Sequence, residues 1–258
     1  MITITSAQLD GWLLFIAWPF TRILALIASA PVTGTQQFPL SAKIGLAMLL
    51  TLLVAPALPA PPAAEPGSAY GMLLMAREIL LGVGMGLAMR MVFAAIGMAG
   101  DIIGLQMGLG FAQFYDPQSS SQVPVIGQFL GLLATLAFLS INGHLLMIAT
   151  LVDSFRSVAP DTILAGATGA LALTQWGAMI IQGAVQLSLP VVAALLITNS
   201  ALAVLTRASP QLNLFAIGFP VTLGIGFIAL LLGLPFLVPG FEHLFEQGLQ
   251  AMTRVAVR

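Results

Sequence analysis

Residues 125–151 read VIGQFLGLLATLAFLSINGHLLMIATL and contain no Asp, Glu, Lys or Arg. A helix needs about 20 apolar residues to cross the hydrocarbon core of a bilayer, and this run is long enough. In lipid every backbone N–H and C=O must be bonded within the protein, so only helices and closed barrels can span. Barrel strands alternate apolar and polar side chains. That alternation is missing here, so the run predicts a helix interrupted only by Asn142 and His144. Working outward, residues 11–30, 44–60, 70–100, 171–205 and 214–238 are further long apolar segments. PVTGTQQFP at 31–39 and the prolines Pro56, Pro59, Pro61 and Pro62 punctuate them. Pro190 is expected to kink or divide 171–205. Residues 241–258 read as a polar, amphipathic tail in which Glu242, Glu246, Arg254 and Arg258 are solvated. The pattern is that of an all-α integral membrane protein.

Composition supports this. Of 258 residues 59% are hydrophobic and 7% are charged, against about 25% charged in ordinary soluble domains. Mean hydropathy is +1.05. A soluble globular enzyme needs a charged shell that this chain lacks, and disorder needs low hydrophobicity. A net charge of -1 offers phosphates no basic surface, which excludes nucleic-acid binding. With no cysteine and only His144 and His243, thiolate chemistry and His-rich metal sites are excluded as well. No G-x-S-x-G, H-E-x-x-H or P-loop is present. The first ten residues carry one charged side chain, Asp10, and no basic n-region. The first apolar run is therefore expected to stay in the mature protein.

Five charges fall inside or beside apolar segments: Arg22, Arg77, Glu78, Arg90 and Asp101. A cation at the bilayer centre costs roughly 2.5–3.5 kcal/mol on the insertion scale, so these groups should not face lipid. They could snorkel, form an internal ion pair, or be buried against other subunits. Their spread over several helices favours the last. Arg90 and Asp101 share nearly one helix face but stand eleven residues apart, too far to pair. The runs Gly82–Gly86, Gly100–Gly104–Gly108 and Gly127–Gly131 have the small-xxx-small spacing that lets helix backbones approach. Packing within one chain accounts for any single pair.

The segment GLGFAQFYDPQSSSQ at 108–122 breaks the apolar pattern with glycines, aromatics and a polar tip. Its backbone cannot lie in lipid. It is either a surface loop with tucked aromatics or an apolar constriction on a glycine hinge. Chemistry alone favours the surface loop.

The sequence resembles the FliR/SctT family of type III secretion export-gate proteins. The likeness rests on RILALIASAP at 22–31, IGLQMGLGFAQFYDPQSSSQVP at 103–124, Gln128 with Asn142-Gly-His144, LVDSFR at 151–156, and TRASPQLNLFAIGFP at 206–220. It implies a noncatalytic subunit of an export gate, without cofactors. In such a gate the chain folds as hairpins within a helical hetero-oligomer. A FliP-like portion at 1–165 would precede a FliQ-like hairpin at 166–240 and the tail at 241–258. The implied partners are FliP-like and FliQ-like subunits, FlhB-like and FlhA-like export proteins, unfolded export substrates and membrane lipid. The implied place is the bacterial inner membrane at the flagellar basal body, extending to the periplasmic side. The resemblance also carries a pore plug onto residues 106–122, with Gln106, Met107, Gly108, Gly110, Phe111, Phe114 and Tyr115 as its residues. This reverses the preference for a surface loop. A small-solute secondary transporter is the alternative, motivated by Glu78, Arg90, Asp101 and a helix broken near Pro190.

Overall fold

In the computed structural model, residues 6–59, 67–111, 124–157, 165–209 and 214–256 are described. They form seven α-helices: α1 Ser6–Ser29, α2 Leu40–Val54, α3 Ala69–Gln106, α4 Val125–Ser140, α5 Gly143–Ser157, α6 Ala165–Ala208 and α7 Leu214–Ala256. Short 3-10 turns follow α2 at Ala55–Ala57 and α3 at Leu109–Phe111. No strand occurs among the described residues. The chain is an all-α membrane protein. Four helical stretches are long and apolar enough to cross a bilayer, namely Leu40–Ala57, Ala69–Gln106, Thr174–Ala208 and Ile217–Val255. The α4–α5 pair passes the same test as a broken fifth.

The chain divides into two compact units, interleaved in sequence. One is Met1–Met91, Asn142–Gly177 and Phe245–Arg258; the other is Val92–Ile141 and Ala178–Leu244. In the first unit α1 packs on α2, and the N-terminal half of α3 lies against α1. Where Gly82 lacks a Cβ it meets the Arg22 carbonyl, Ala25 Cβ and Leu26 N. One turn on, Gly86 lies against Ser29. Trp176 of α6 adds a hydrogen bond from its indole N–H to the Ala88 carbonyl, at 3.0 Å.

The second unit repeats the device. Gly100 of α3 faces the Gly127 backbone of α4, and Gly127 in turn meets the Gly97 carbonyl and Asp101. Phe93 and Phe138 stack edge-on beside this crossing, with ring centroids 5.6 Å apart. Gly240 of α7 lies against Leu187 of α6. The glycine pairs therefore serve packing inside the chain at Gly82, Gly86, Gly100 and Gly127, whereas Gly131 meets nothing within 4 Å.

Two expectations change. The clean run 125–151 is two helices, because Asn142 takes a left-handed φ of 58°. Its carbonyl accepts the Leu145 and Leu146 amides and so starts α5. Asn tolerates this conformation through its short polar side chain. Pro190 does not divide α6, which is continuous from Ala165 to Ala208. A proline removes one helical bond, and long helical flanks carry the segment through. Residues 241–256 form the last turns of α7 and are amphipathic. Their apolar face, Phe241, Phe245 and Met252, is buried while Glu242, Glu246 and Arg254 are exposed.

The break at Asn142 makes a prediction. Asn142→Val places a β-branched residue at positive φ and should cost about 1–2 kcal/mol. Asn142→Gly should not lower the thermal midpoint in detergent. Equal midpoints for the two variants would show that the turn is not held at this residue.

Candidate functional site

The buried charges meet at one place in the first unit. Arg22 of α1 and Glu78 of α3 are each 0% exposed. Arg22 Nε donates to Glu78 Oε2 at 2.5 Å, and Nη1 donates to Ser154 Oγ of α5 at 2.9 Å. The Ser154 hydroxyl itself donates to the Leu151 carbonyl at 2.5 Å. The guanidinium carbon sits 4.1 Å from the centre of the Phe155 ring. Phe155 in turn meets Trp18 edge-on at 5.8 Å. Arg77 Nη1 lies 3.8 Å from the second Glu78 oxygen.

Sequence spacing explains how this set forms. Glu78, Gly82 and Gly86 recur every fourth residue and share one face of α3. Arg22, Leu26 and Ser29 share the facing side of α1. The two glycines bring the backbones together, and Glu78 is carried onto Arg22. Ser154 and Phe155 then close the site from α5.

Of the five charges, the structure joins Arg22, Arg77 and Glu78 within the chain. Arg90 is exposed and Asp101 is half-buried. One Asp101 oxygen rests against Gly127 and has no hydrogen-bond partner among the described residues. Arg22 and Glu78 are thus buried against each other within the chain, while Arg22 Nη2 and Glu78 Oε1 have no hydrogen-bond partner among the described residues. His144 and Asp153 are exposed on α5. Among the described residues no cluster of His, Asp or Glu could hold a metal ion.

The predicted plug residues begin where α3 ends. Gln106 is the last residue of the helix and Met107 is fully buried. Gly108 has φ 89°, a conformation that suits glycine at a helix C-terminus. Its amide donates to the Leu105 carbonyl at 3.0 Å. Gly110 and Phe111 lie in the 3-10 turn that follows. Phe114 and Tyr115 lie outside the described residues. Thr222 and Gly226 of α7 reach the same spot and were missed by the sequence reading. Both are uncharged and far along the chain, and no local signal marks them.

With this geometry in hand, the known relatives can be read. The family model for bacterial export proteins, family 1, matches residues 13–248. The chain belongs to this family. It is 41% identical to the flagellar biosynthetic protein FliR of Escherichia coli (strain K12), over 96% of this chain and 94% of that one. Identity to the protein of the same name from Pectobacterium carotovorum subsp. carotovorum is 44%, over 96% and 94%. With that of Bacillus subtilis (strain 168) it is 33%, over 90% and 91%. The resemblance carried by the sequence motifs is thus a full-length family relationship. One of those motifs, LVDSFR at 151–156, contains both Ser154 and Phe155 of the charge site. That was the available signal for residues the sequence reading left without a role.

The ion pair makes a second prediction. Glu78→Gln leaves Arg22 charged and buried and should destabilise the chain by about 3–5 kcal/mol. Adding Arg22→Met removes the stranded charge and should recover most of the loss. Thermal unfolding in detergent checks both. If the double variant is no more stable than Glu78→Gln, the pair does not hold α1 to α3.

Proposed function

We propose that this chain is a noncatalytic structural and gating subunit of the flagellar type III protein export channel. It sits in the bacterial inner membrane and extends to the periplasmic side. The single observation that carries this reading is the near full-length similarity to proteins named flagellar biosynthetic protein FliR. The chemistry agrees with it. Arg22 and Glu78 pair with each other in the first unit and tie α1 to α3. The remaining groups suit shape and packing rather than reaction.

Partners in this reading are FliP-like and FliQ-like subunits, with FlhB-like and FlhA-like proteins associated. Large apolar faces support such assembly. Leu53 of α2, Ile197 of α6 and Phe236 of α7 are each more than 70% exposed in the isolated chain. Faces of this kind require lipid or protein cover. Residues 106–122 plug the closed pore, with Phe111 and Phe114 as the obstructing side chains, and unfolded flagellar subunits pass when the plug is displaced. The transporter alternative loses one of its motives, since α6 runs unbroken through Pro190.

Two measurements test this. Native mass spectrometry of the chain co-expressed with its FliP and FliQ counterparts should show a discrete mixed complex. A monodisperse particle of this chain alone, with both partners present and free, would favour the transporter. In the assembled complex, Phe111→Ala with Phe114→Ala should raise the closed-state ion leak severalfold in planar bilayers. Unchanged conductance in a correctly assembled complex would remove the plug role.

A further inference from the structure

The end of α3 is held by two residues of α7. Helix C-termini leave carbonyls without intrahelical partners. Here the Ile103 carbonyl accepts the Met107 amide at 2.9 Å and the Leu105 carbonyl accepts the Gly108 amide. The next exit-side acceptor, the Met107 carbonyl, takes a bond from Thr222 Oγ1 at 3.3 Å. That hydroxyl also lies 3.0 Å from the Phe219 carbonyl of its own helix. It has a single proton, so the two carbonyls share it.

Four residues after Thr222, on the same face of α7, comes Gly226. A Cβ on this glycine would lie 2.6 Å from Met107 Cγ, 2.8 Å from Cε and 3.0 Å from Sδ. The Met107 side chain therefore lies directly on bare α7 backbone. Met107 is 0% exposed. Immediately after it the chain leaves α3 at Gly108, whose positive φ sets the exit direction.

We propose that Thr222 and Gly226 form a clasp on Met107 that positions the stem of the plug segment. Met107 is then a positioning residue and not an obstructing one. The inference rests on the plug reading above and adds the residues that hold its stem in the closed gate. The clasp uses one shared hydrogen bond and close van der Waals contact, with no charge on either side. Its stem residue is a flexible thioether, a side chain that can shift without tearing the helix.

The chain has no native cysteine, so an engineered pair would be its only two thiols. Met107 Cγ is one bond from its Cβ, which puts Cβ atoms at 107 and 226 within disulfide reach, about 4.5 Å or less. The experiment uses Met107→Cys with Gly226→Cys, assembled with the FliP-like and FliQ-like subunits and reconstituted in planar bilayers. Reduced, the clasp is gone and the closed-state leak should exceed wild type severalfold. Oxidised, the covalent tie replaces the clasp and the leak should return to the wild-type level. The same preparation is compared with itself, so a folding defect cannot imitate the response.

Gly226→Ala provides an independent variant, expected to leak because the new methyl displaces Met107 and not backbone. Failure of the cross-link to form on oxidation would overturn the proposal. So would a cross-link that forms without changing the leak, or an unchanged leak in Gly226→Ala. If those failures occur while Phe111→Ala with Phe114→Ala still leaks, the clasp alone is wrong. If the phenylalanine variant does not leak either, the plug reading falls and the clasp falls with it.

Discussion

A buried guanidinium in a chain with 7% charged residues can be stabilised only by what the fold brings to it, and Glu78 is what arrives. Desolvating the two ions costs several kcal/mol each, repaid only by good geometry and additional hydrogen bonds. The 2.5 Å contact, the bond to Ser154 and the Phe155 face supply that geometry. They come from two distant parts of the chain: α3 for the carboxylate, α5 for the hydroxyl and ring. A helix that slid by one turn would strand a charge in an apolar interior. The pair therefore fixes the register of α1, α3 and α5 more strictly than apolar packing could, since apolar residues slide past one another at modest cost.

The glycines let that register exist. Gly82 and Gly86 place α3 close enough to α1 for Glu78 to reach Arg22, and larger residues there would push the backbones apart. In the second unit, the Gly100–Gly127 contact likewise brings α3 and α4 together, with the Asp101 carboxylate resting against Gly127 and no ion pair at the crossing among the described residues. Small residues are effective here because helices in apolar surroundings gain by close packing and not by the hydrophobic effect. The consequence is a chain whose inner faces are committed to itself while broad outer faces on α2, α6 and α7 remain apolar.

Helix content and the apolar runs were legible in the sequence because both follow from local composition. Their limits were less so. The run 125–151 looked continuous since hydropathy does not register backbone conformation, although Asn142-Gly143 is itself a turn signal. Residues 241–256 looked like a tail because Glu242 and Glu246 lower the local hydropathy, while the buried Phe241 and Phe245 show a helix facing two ways. Arg22, Arg77 and Glu78 stood out individually as expensive charges. Their pairing did not, because α1 and α3 meet across 56 positions of chain. Thr222 and Gly226 left no trace at all, being common residues whose effect depends on Met107 far away in sequence.

The two sets of contacts differ most in what it costs to undo them. Removing one member of a buried ion pair costs about 3–5 kcal/mol. A shared neutral hydrogen bond contributes only about 0.5–1.5 kcal/mol net, and Thr222 can hand its proton to Phe219 when Met107 leaves. Under the proposed gating role, the chain needs contacts that hold its own helices in register and others that yield on opening. The Arg22–Glu78 site is charged and the Met107 contacts are neutral, and the two lie in different units. If the proposed clasp holds the stem, an opening force there would release the neutral contact before it disturbed the ion pair. On that proposal, opening leaves the α1–α3–α5 register intact.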